Sequence, residues 1–177
     1  MIHRDIKPGN ILFLHKNDIS SLKICDLGLA TNLGTGLFDQ NYEQVGTLMY
    51  QSPEQMNESP SYGKPVDIWA IGMIMYELLT KGGHPLLGEL IHKEVVLSAD
   101  AYKDIMINNT SKFVIMKNLK SVSKHAKSLI KNLCNLRPNY RYNCLRALKH
   151  PWITRDQEGK VPLNFLQELQ MNLEQLV

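Results

Sequence analysis

The 177-residue sequence predicts a mostly α-helical domain that carries one small β-hairpin near its N-terminus. Two short apolar runs, 11–14 and 22–25, flank a polar connection, which is the pattern of two paired strands. Pro65 opens a stretch that stays apolar on nearly all sides as far as Leu79, and a helix of that kind belongs inside a domain. Residues 126–133 repeat apolar side chains at helical spacing. We therefore expect a helical bundle built around residues 65–79.

Composition is ordinary for one soluble globular domain. Hydrophobic residues make up 44% of the chain and charged residues 21%, and the length suits one well-cored domain better than two. No apolar run approaches the roughly 20 residues that span a bilayer. The three cysteines, Cys25, Cys134 and Cys144, are odd in number and form no Cys-x-x-Cys pair, which argues against a disulfide framework or a zinc site. We expect a reducing compartment, the cytoplasm first and the nucleus as the alternative.

The charge of the chain is unevenly distributed. Between Ile105 and Arg155 the sequence holds eleven lysines and arginines and no acidic residue. Such a region can bind acidic partners or phosphates, or can simply form solvated helix faces. Because the aromatic residues of this region form no pattern that suggests base stacking, we expect no nucleic-acid partner.

The polar loop at the N-terminus and the turn after the second apolar run carry the candidate chemistry. The loop reads His-Arg-Asp-Ile-Lys-Pro-Gly-Asn over residues 3–10, and the turn places Asp26 after Ile24-Cys25. A carboxylate beside a cation can orient a hydroxyl and accept its proton. A hairpin would bring Asn10 and Asp26 to neighbouring strand ends, where both can reach one metal ion. Phosphoryl transfer to a hydroxyl needs this set of groups.

The order of these motifs along the chain resembles the eukaryotic protein kinases of the serine/threonine type. Residues 3–10 match their catalytic loop, and Asp26-Leu27-Gly28 is similar to their Asp-Phe-Gly. Further matches follow in the family's order: Gly46-Thr47, Ser52-Pro53-Glu54, the central-helix segment 67–72, and a closing segment, 136–152, that resembles calcium/calmodulin-type kinases. The resemblance implies a kinase-like C-lobe over residues 1–153, with residues 154–177 as an amphipathic helical tail.

The resemblance also implies a role for each catalytic-loop residue. Asp5 would be the base, Lys7 the cation on the transferred phosphate, and Thr47 the residue that bonds to both of them. The cofactors implied are ATP and Mg²⁺, with Asn10 and Asp26 as the metal ligands, and the partner implied is a protein Ser/Thr hydroxyl. The residues placed on the nucleotide and its metal are Lys7, Asn10, Leu12 and Asp26.

Other matching positions are expected to support the site rather than to react. Asp67 would bond to the backbone of the catalytic loop, and Arg141 would pair with Glu54. His3 is open to a reading as a general base because its ordinary pKa lies near neutrality, but the resemblance favours an apolar stack with Leu27. The complete supporting set is His3, Arg4, Leu27, Gly28, Glu54, Asp67 and Arg141.

Residues 31–50 resemble the family's activation segment. In many members a phosphorylated residue four positions before the equivalent of Thr47 pairs with the arginine of the catalytic loop. Glu43 occupies that position here. Either Glu43 supplies a permanent negative charge for Arg4, or it is an unrelated surface residue and activation uses Thr35, Tyr42 or no residue at all.

The tail carries leucines at three-four-three spacing, at positions 166, 169, 173 and 176. This is an amphipathic stripe that is too short to predict a coiled coil. We expect it to pack against the domain, with binding of a regulatory protein, through the tail or the basic helices, as the alternative.

Several family motifs have no counterpart in the 177 residues, namely the Gly-rich loop, the strand lysine, its glutamate partner and the adenine-binding hinge. The expected function is therefore a serine/threonine kinase whose activity as this chain alone is in doubt. The alternative is a truncated, non-catalytic kinase lobe that binds partners, and a truncated gene model would look the same. An apolar face around Leu12 and Leu27 should be exposed and open to a partner.

Overall fold

The computed structural model describes residues 1–16, 18–32, 43–57, 62–82, 98–108, 119 and 122–157. Two of the possible activation residues, Thr35 and Tyr42, lie outside these ranges, as does the leucine stripe of the tail. The described strands are β1 (Ile11–Phe13) and β2 (Leu22–Ile24), and the described helices are α1 (Pro53–Met56), α2 (Pro65–Thr80), α3 (Ala99–Asn108), α4 (Lys124–Leu133), α5 (Cys144–Leu148) and α6 (Pro151–Gln157). The small hairpin that the sequence predicted is confirmed, and helices predominate over strands among the described residues.

The hairpin is antiparallel, and its register pairs Ile11 with Ile24 and Phe13 with Leu22. Each strand is one residue shorter than the apolar run that predicted it. The connection between the strands contains a 3₁₀ turn over Ile19–Ser21. Asp18 caps this turn, since its side chain accepts a hydrogen bond from the Ser20 N–H. The register places the first residue of β1 beside the last residue of β2, at the end of the hairpin away from this turn.

Helix α2 runs through the interior, as its all-round apolar sequence predicts. Its side chains take part in four clusters of buried residues. Trp69 and Tyr76 belong to the first, Ala70 and Ile74 to the second, Ile68 to the third and Val66 to the fourth. The helix ends at Thr80, followed by two residues with positive φ at positions 81 and 82, the second of which donates its N–H to the Glu77 carbonyl.

Helices α2 and α4 pack closely because a glycine lies at their contact. A Cβ placed on Gly72 would stand 2.4 Å from Cys134 Sγ and 2.9 Å from Leu133 Cβ, so no larger residue fits without displacing α4. Helix α4 begins after Ser123, whose hydroxyl accepts from the Ala126 N–H and so caps the helix. The close approach fixes the segment that follows α4 against the N-terminal half of α2.

The closing segment packs on the same side of the bundle. Trp152 and Ile153 of α6 join Ala147 of α5 against a cluster formed by Ile68, Leu129 and their neighbours. On the other side, Met106 of α3 is fully buried against Trp69. Within the ranges that the structure describes, no helix is both long enough and apolar enough to cross a membrane.

Candidate active site

The catalytic loop is anchored by one carboxylate at the start of α2. Asp67 Oδ2 accepts from the His3 N–H and Oδ1 from the Arg4 N–H, both at 2.9 Å. Arg4 has φ = +71°, a strained value for a residue with a side chain. The two hydrogen bonds hold the loop in this conformation, and Asp67 therefore takes the position that the sequence resemblance implied.

Four donors surround the Asp5 carboxylate. Oδ1 accepts from both the backbone N–H and the hydroxyl of Thr47, each at 2.7 Å. Oδ2 lies 2.9 Å from Lys7 Nζ and 3.2 Å from Asn10 Nδ2. Lys7 Nζ also donates to Thr47 Oγ1 at 2.8 Å, so Asp5, Lys7 and Thr47 form a closed triangle. The structure thus brings together the three residues that the sequence proposed as catalytic.

The surroundings of Asp5 keep it ionised. Burial raises the pKa of the Asp5 carboxyl, but hydrogen bonds from Thr47 and Lys7 and the charge of Lys7 outweigh burial and hold the pKa below its ordinary value. Only 8% of the Asp5 side chain is exposed, whereas Lys7 is 30% exposed. A buried, negatively charged carboxylate therefore lies beside a cation that can still reach solvent.

The hairpin brings the two candidate metal ligands to one end of the sheet. Asn10 directly precedes β1, and its carbonyl accepts from the Cys25 N–H at 2.9 Å, one residue before Asp26. The Asn10 amide nitrogen donates to the Asp5 carbonyl at 2.9 Å, which leaves the amide oxygen available to a cation. Asp26 is exposed, with φ = +62°, and its Oδ1 accepts from the Gly28 N–H at 3.2 Å.

These donors fit Mg²⁺ in kind, because it prefers oxygen ligands and binds through one or two carboxylates completed by water and phosphate oxygens. No group of three or more His, Cys, Asp or Glu among the described residues is arranged to hold a metal ion. The candidate set is therefore one amide oxygen and one carboxylate, which suits a metal that arrives with a phosphate.

His3 is held by polar contacts rather than by the apolar stack expected from the sequence. The ring is buried, with Nε2 3.0 Å from the Cys25 carbonyl and Nδ1 accepting from the Asp5 N–H at 3.4 Å. Leu27, the expected neighbour in the stack, leaves 58% of its surface exposed. Because both ring nitrogens bond to the backbone, His3 links the catalytic loop to the end of β2. Neither nitrogen is then free to accept a proton, which argues against His3 as a general base.

Arg4 connects the catalytic loop to two later segments. Its Nε donates to the Leu29 carbonyl at 2.6 Å, and its NH1 lies 2.7 Å from Glu43 Oε2. The backbone carbonyl of Glu43 in turn accepts from the Tyr62 hydroxyl. Burial lowers the pKa of Arg4, but the contacts with Glu43 and Tyr62 outweigh it and raise the pKa above its ordinary value. Of the two readings of Glu43, the structure favours the one in which it faces Arg4.

Gly46 lies directly against the Arg4 carbonyl of the catalytic loop. Its φ is +103°, and a Cβ built on it would lie 2.3 Å from the Arg4 carbonyl oxygen. Only glycine permits both this conformation and this approach. Gly46 therefore sets the distance between the Thr47 backbone and Asp5, a role that the sequence motif alone did not reveal.

Glu54 and Arg141 form the second ion pair that the sequence anticipated. The two contacts are parallel, with NH1 to Oε1 at 2.6 Å and NH2 to Oε2 at 3.1 Å. Arg141 NH1 also donates to the Pro65 carbonyl, and the guanidinium lies 5.0 Å from the centre of the Trp69 ring. The Arg141 side chain is wholly buried and Glu54 is 13% exposed. The pair ties α1 to the start of α2 and to the segment after α4.

Apolar side chains lie exposed on the hairpin and on the turn that follows it. Leu12 is 52% exposed, Ile24 49% and Leu27 58%. The exposure of Leu12 and Leu27 that the sequence predicted is confirmed. No contact of Leu12 with a nucleotide is tested by this geometry, so that assignment stays a prediction.

Comparison with known proteins agrees with the geometry. Residues 1–153 match the protein kinase domain family. The chain belongs to this family. It is 36% identical over 160 residues to a probable serine/threonine-protein kinase, pXi, of Dictyostelium discoideum. It is 35% identical over 153 residues to calcium-dependent protein kinase 21 of rice, and 36% identical over 154 residues to the Drosophila melanogaster calcium/calmodulin-dependent protein kinase type II alpha chain.

These three alignments cover 86% to 90% of this chain but only 20% to 27% of each relative. The chain thus spans about a fifth to a quarter of the length of these kinases. Their names confirm the resemblance to serine/threonine kinases of the calcium-dependent and calcium/calmodulin-dependent groups.

Proposed function

We propose that this chain carries the catalytic half of a serine/threonine protein kinase, which transfers the γ-phosphoryl group of ATP to a hydroxyl of a protein substrate. The observation that carries the proposal is the closed triangle of Asp5, Lys7 and Thr47. A charged carboxylate with a lowered pKa, held rigidly beside an ammonium group, is suited to orient a hydroxyl and to accept its proton.

The triangle also indicates how the base becomes available. A carboxylate offers about four acceptor positions, and four donors already bond to Asp5. A substrate hydroxyl must therefore replace one of them. Lys7 is the suitable one to leave, because it is 30% exposed and its side chain is long. Thr47 would keep Oδ1 fixed while Oδ2 receives the hydroxyl, and Lys7 would move to the phosphate being transferred.

The hairpin end supplies the remaining part of the site. Asn10 through its amide oxygen and Asp26 through its carboxylate would hold Mg²⁺, and Lys7 would lie toward the same phosphate. Bound Mg²⁺ supplies charge neutralisation for the phosphate oxygens. The hydrogen bond from the Cys25 N–H to the Asn10 carbonyl supports this proposal, because it keeps the two ligand-bearing backbones adjacent.

We extend the proposal to the organisation of the chain. Residues 1–153 would be the C-lobe of the kinase domain, and residues 154–177 a helical tail outside it. The three cysteines, Cys25, Cys134 and Cys144, are all free, which supports the proposal of a reducing compartment such as the cytoplasm.

A second candidate function is supported by the exposed apolar side chains of Leu12, Ile24 and Leu27, on the hairpin and the turn after it. Exposed apolar surface can mark an interaction site in a soluble protein. A kinase lobe that binds a partner through these side chains, without transferring phosphate, would use the same fold. The two functions differ in one property, since only the enzyme needs Asp5.

The proposed function is tested by phosphoryl transfer from radiolabelled ATP to a generic Ser/Thr-rich protein such as casein. The full chain should label casein in the presence of Mg²⁺. Asp5→Asn should abolish labelling, whereas Asp100→Asn, an exposed aspartate in the first turn of α3, should label like the wild type. Equal labelling by all three proteins would refute Asp5 as the base. Labelling by none of them, with folded protein confirmed by circular dichroism, would favour the binding module.

A further inference from the structure

Helix α5 presents an outer face that is apolar and exposed. Leu145 is 70% exposed and Leu148 58%, and Cys144 and Lys149 are exposed beside them. Residues three and four apart on a helix are neighbours, so these four positions form one continuous surface, called here the α5 outer face. The helix packs inward through Ala147, on its other side. Two exposed leucines on a helix of five residues indicate a surface to which another segment or molecule binds.

The charge around this face restricts what can cover it. Arg146 and Lys149 are exposed on or next to α5, and Arg137 is exposed shortly before it. From residue 119 to residue 154 the sequence contains no aspartate or glutamate. A complementary segment would therefore combine apolar side chains with negative charge.

The chain itself contains such a segment directly after α6. Residues 158–177 hold leucines 166, 169, 173 and 176 at three-four-three spacing. Their charged residues are three glutamates, at 158, 168 and 174, and one lysine, at 160. We propose that residues 158–177 dock on the α5 outer face of the same chain, with the leucine stripe against Leu145 and Leu148 and the glutamates toward the surrounding cations.

The length of the connection allows this docking. Helix α6 ends at Gln157, and its Trp152 shares a cluster with Ala147 of α5, so the tail begins about one short helix length from α5. The nine residue steps from Gln157 to Leu166 can extend about 30 Å, far more than the roughly 10 Å length of a seven-residue helix such as α6. Attachment to the same chain raises the effective concentration of the tail to about the millimolar range, which favours it over a separate partner. The proposal stands independently of the catalytic function.

Cys144 provides a built-in probe, because an exposed thiol on the proposed docking face should become protected. The rate of alkylation of Cys144 by iodoacetamide in the native full chain would be followed by peptide mass spectrometry. The test variant is L169E/L173E, which places charge on the leucine stripe. The matched control is Q167E/Q175E, which adds the same charge at positions that are not three or four residues from any leucine of the stripe.

Docking predicts slow alkylation in the wild type and in Q167E/Q175E, and alkylation about tenfold faster in L169E/L173E, as expected for a docked state that is open about 10% of the time. Leu145→Glu should likewise speed trypsin cleavage after Lys160, since the tail would be released. Equal Cys144 rates in all three proteins would overturn the proposal. Protection that disappears on dilution would also overturn it, since the tail would then bind a second copy of the chain.

Discussion

The described part of the chain contains two arginine–glutamate ion pairs, and they differ chiefly in how far each is exposed to water. The Arg141–Glu54 pair is almost entirely buried, makes two parallel contacts and adds a bond to the Pro65 carbonyl. In the Arg4–Glu43 pair the guanidinium is only 6% exposed, but the carboxylate is 67% exposed and makes one contact. The same chemistry therefore has two energetic roles. The buried pair joins helices, whereas the exposed pair orients a loop at the site.

The largest expected effect is the loss of the buried pair. Arg141→Met should lower the free energy of unfolding by about 3–5 kcal/mol, because Glu54 would remain buried without a partner. Urea unfolding measures this loss. Arg137→Met, an exposed arginine in the same segment, is the control and should change stability little.

A double variant sharpens this prediction. Replacing Glu54 by Leu in Arg141→Met removes the stranded charge and should recover much of the lost stability. If Arg141→Met alone unfolds like the wild type, or if the double variant is as unstable as the sum of the single variants, the pair does not act as described.

The second effect concerns the loop that contacts Arg4. Gly46→Ala should cost about 1–3 kcal/mol from its positive φ alone, and more from the clash with the Arg4 carbonyl. Phosphoryl transfer should fall further than stability, because Thr47 would be displaced from Asp5. Gly9→Ala is the matched control, since a Cβ there meets no atom within 4 Å. Equal behaviour of the two alanine variants would contradict the role of Gly46.

The third effect is a pH dependence at Asp5. Because folding lowers the pKa of Asp5, its ionised form stabilises the native state above the ordinary value of 3.8, and this contribution is lost as the pH falls through the lower, folded value. The difference in unfolding free energy between the wild type and Asp5→Asn should shrink in acid below 3.8. A difference that stays constant or grows would mean that Asp5 is not held as an anion.

The smallest effect belongs to the exposed pair. Glu43→Gln should change the free energy of unfolding by less than about 1 kcal/mol, and salt should screen that change. Glu54→Gln is the matched buried variant and should lose several times more. If Glu43 orients Arg4, Glu43→Gln should still lower phosphoryl transfer at unchanged stability. A stability loss as large as that of Glu54→Gln would remove the distinction between the pairs.

The sequence predicted the elements whose cause is local. The all-round apolar run identified α2, and apolar residues at helical spacing identified α4, because such patterns depend on residue types close together in the chain. The order of motifs also predicted that Asp5, Lys7 and Thr47 would meet. The resemblance to the kinase family carried this prediction, because each of the three residues matches a family motif.

The sequence could not predict properties set by distant neighbours. His3 bonds to the carbonyl of Cys25 rather than packing beside Leu27, and this depends on how the strand end approaches the catalytic loop. Gly46 looked like a motif residue, but its necessity comes from the Arg4 carbonyl, which lies 42 positions earlier in the chain. Residue types do not state such distances, so the polar contacts of His3 and the role of Gly46 were missed.

The most direct test of the central claim, that the catalytic loop and the hairpin end form one phosphoryl-transfer site, is calorimetric titration of the full chain with Mg-ATP. Asp26→Ala is the test variant, and Asp100→Ala, at an exposed position on α3, is the control. We predict micromolar to submillimolar binding of Mg-ATP by the wild type and by Asp100→Ala, and no binding by Asp26→Ala. Absence of binding by the wild type, or binding that survives Asp26→Ala, would contradict the claim of one phosphoryl-transfer site.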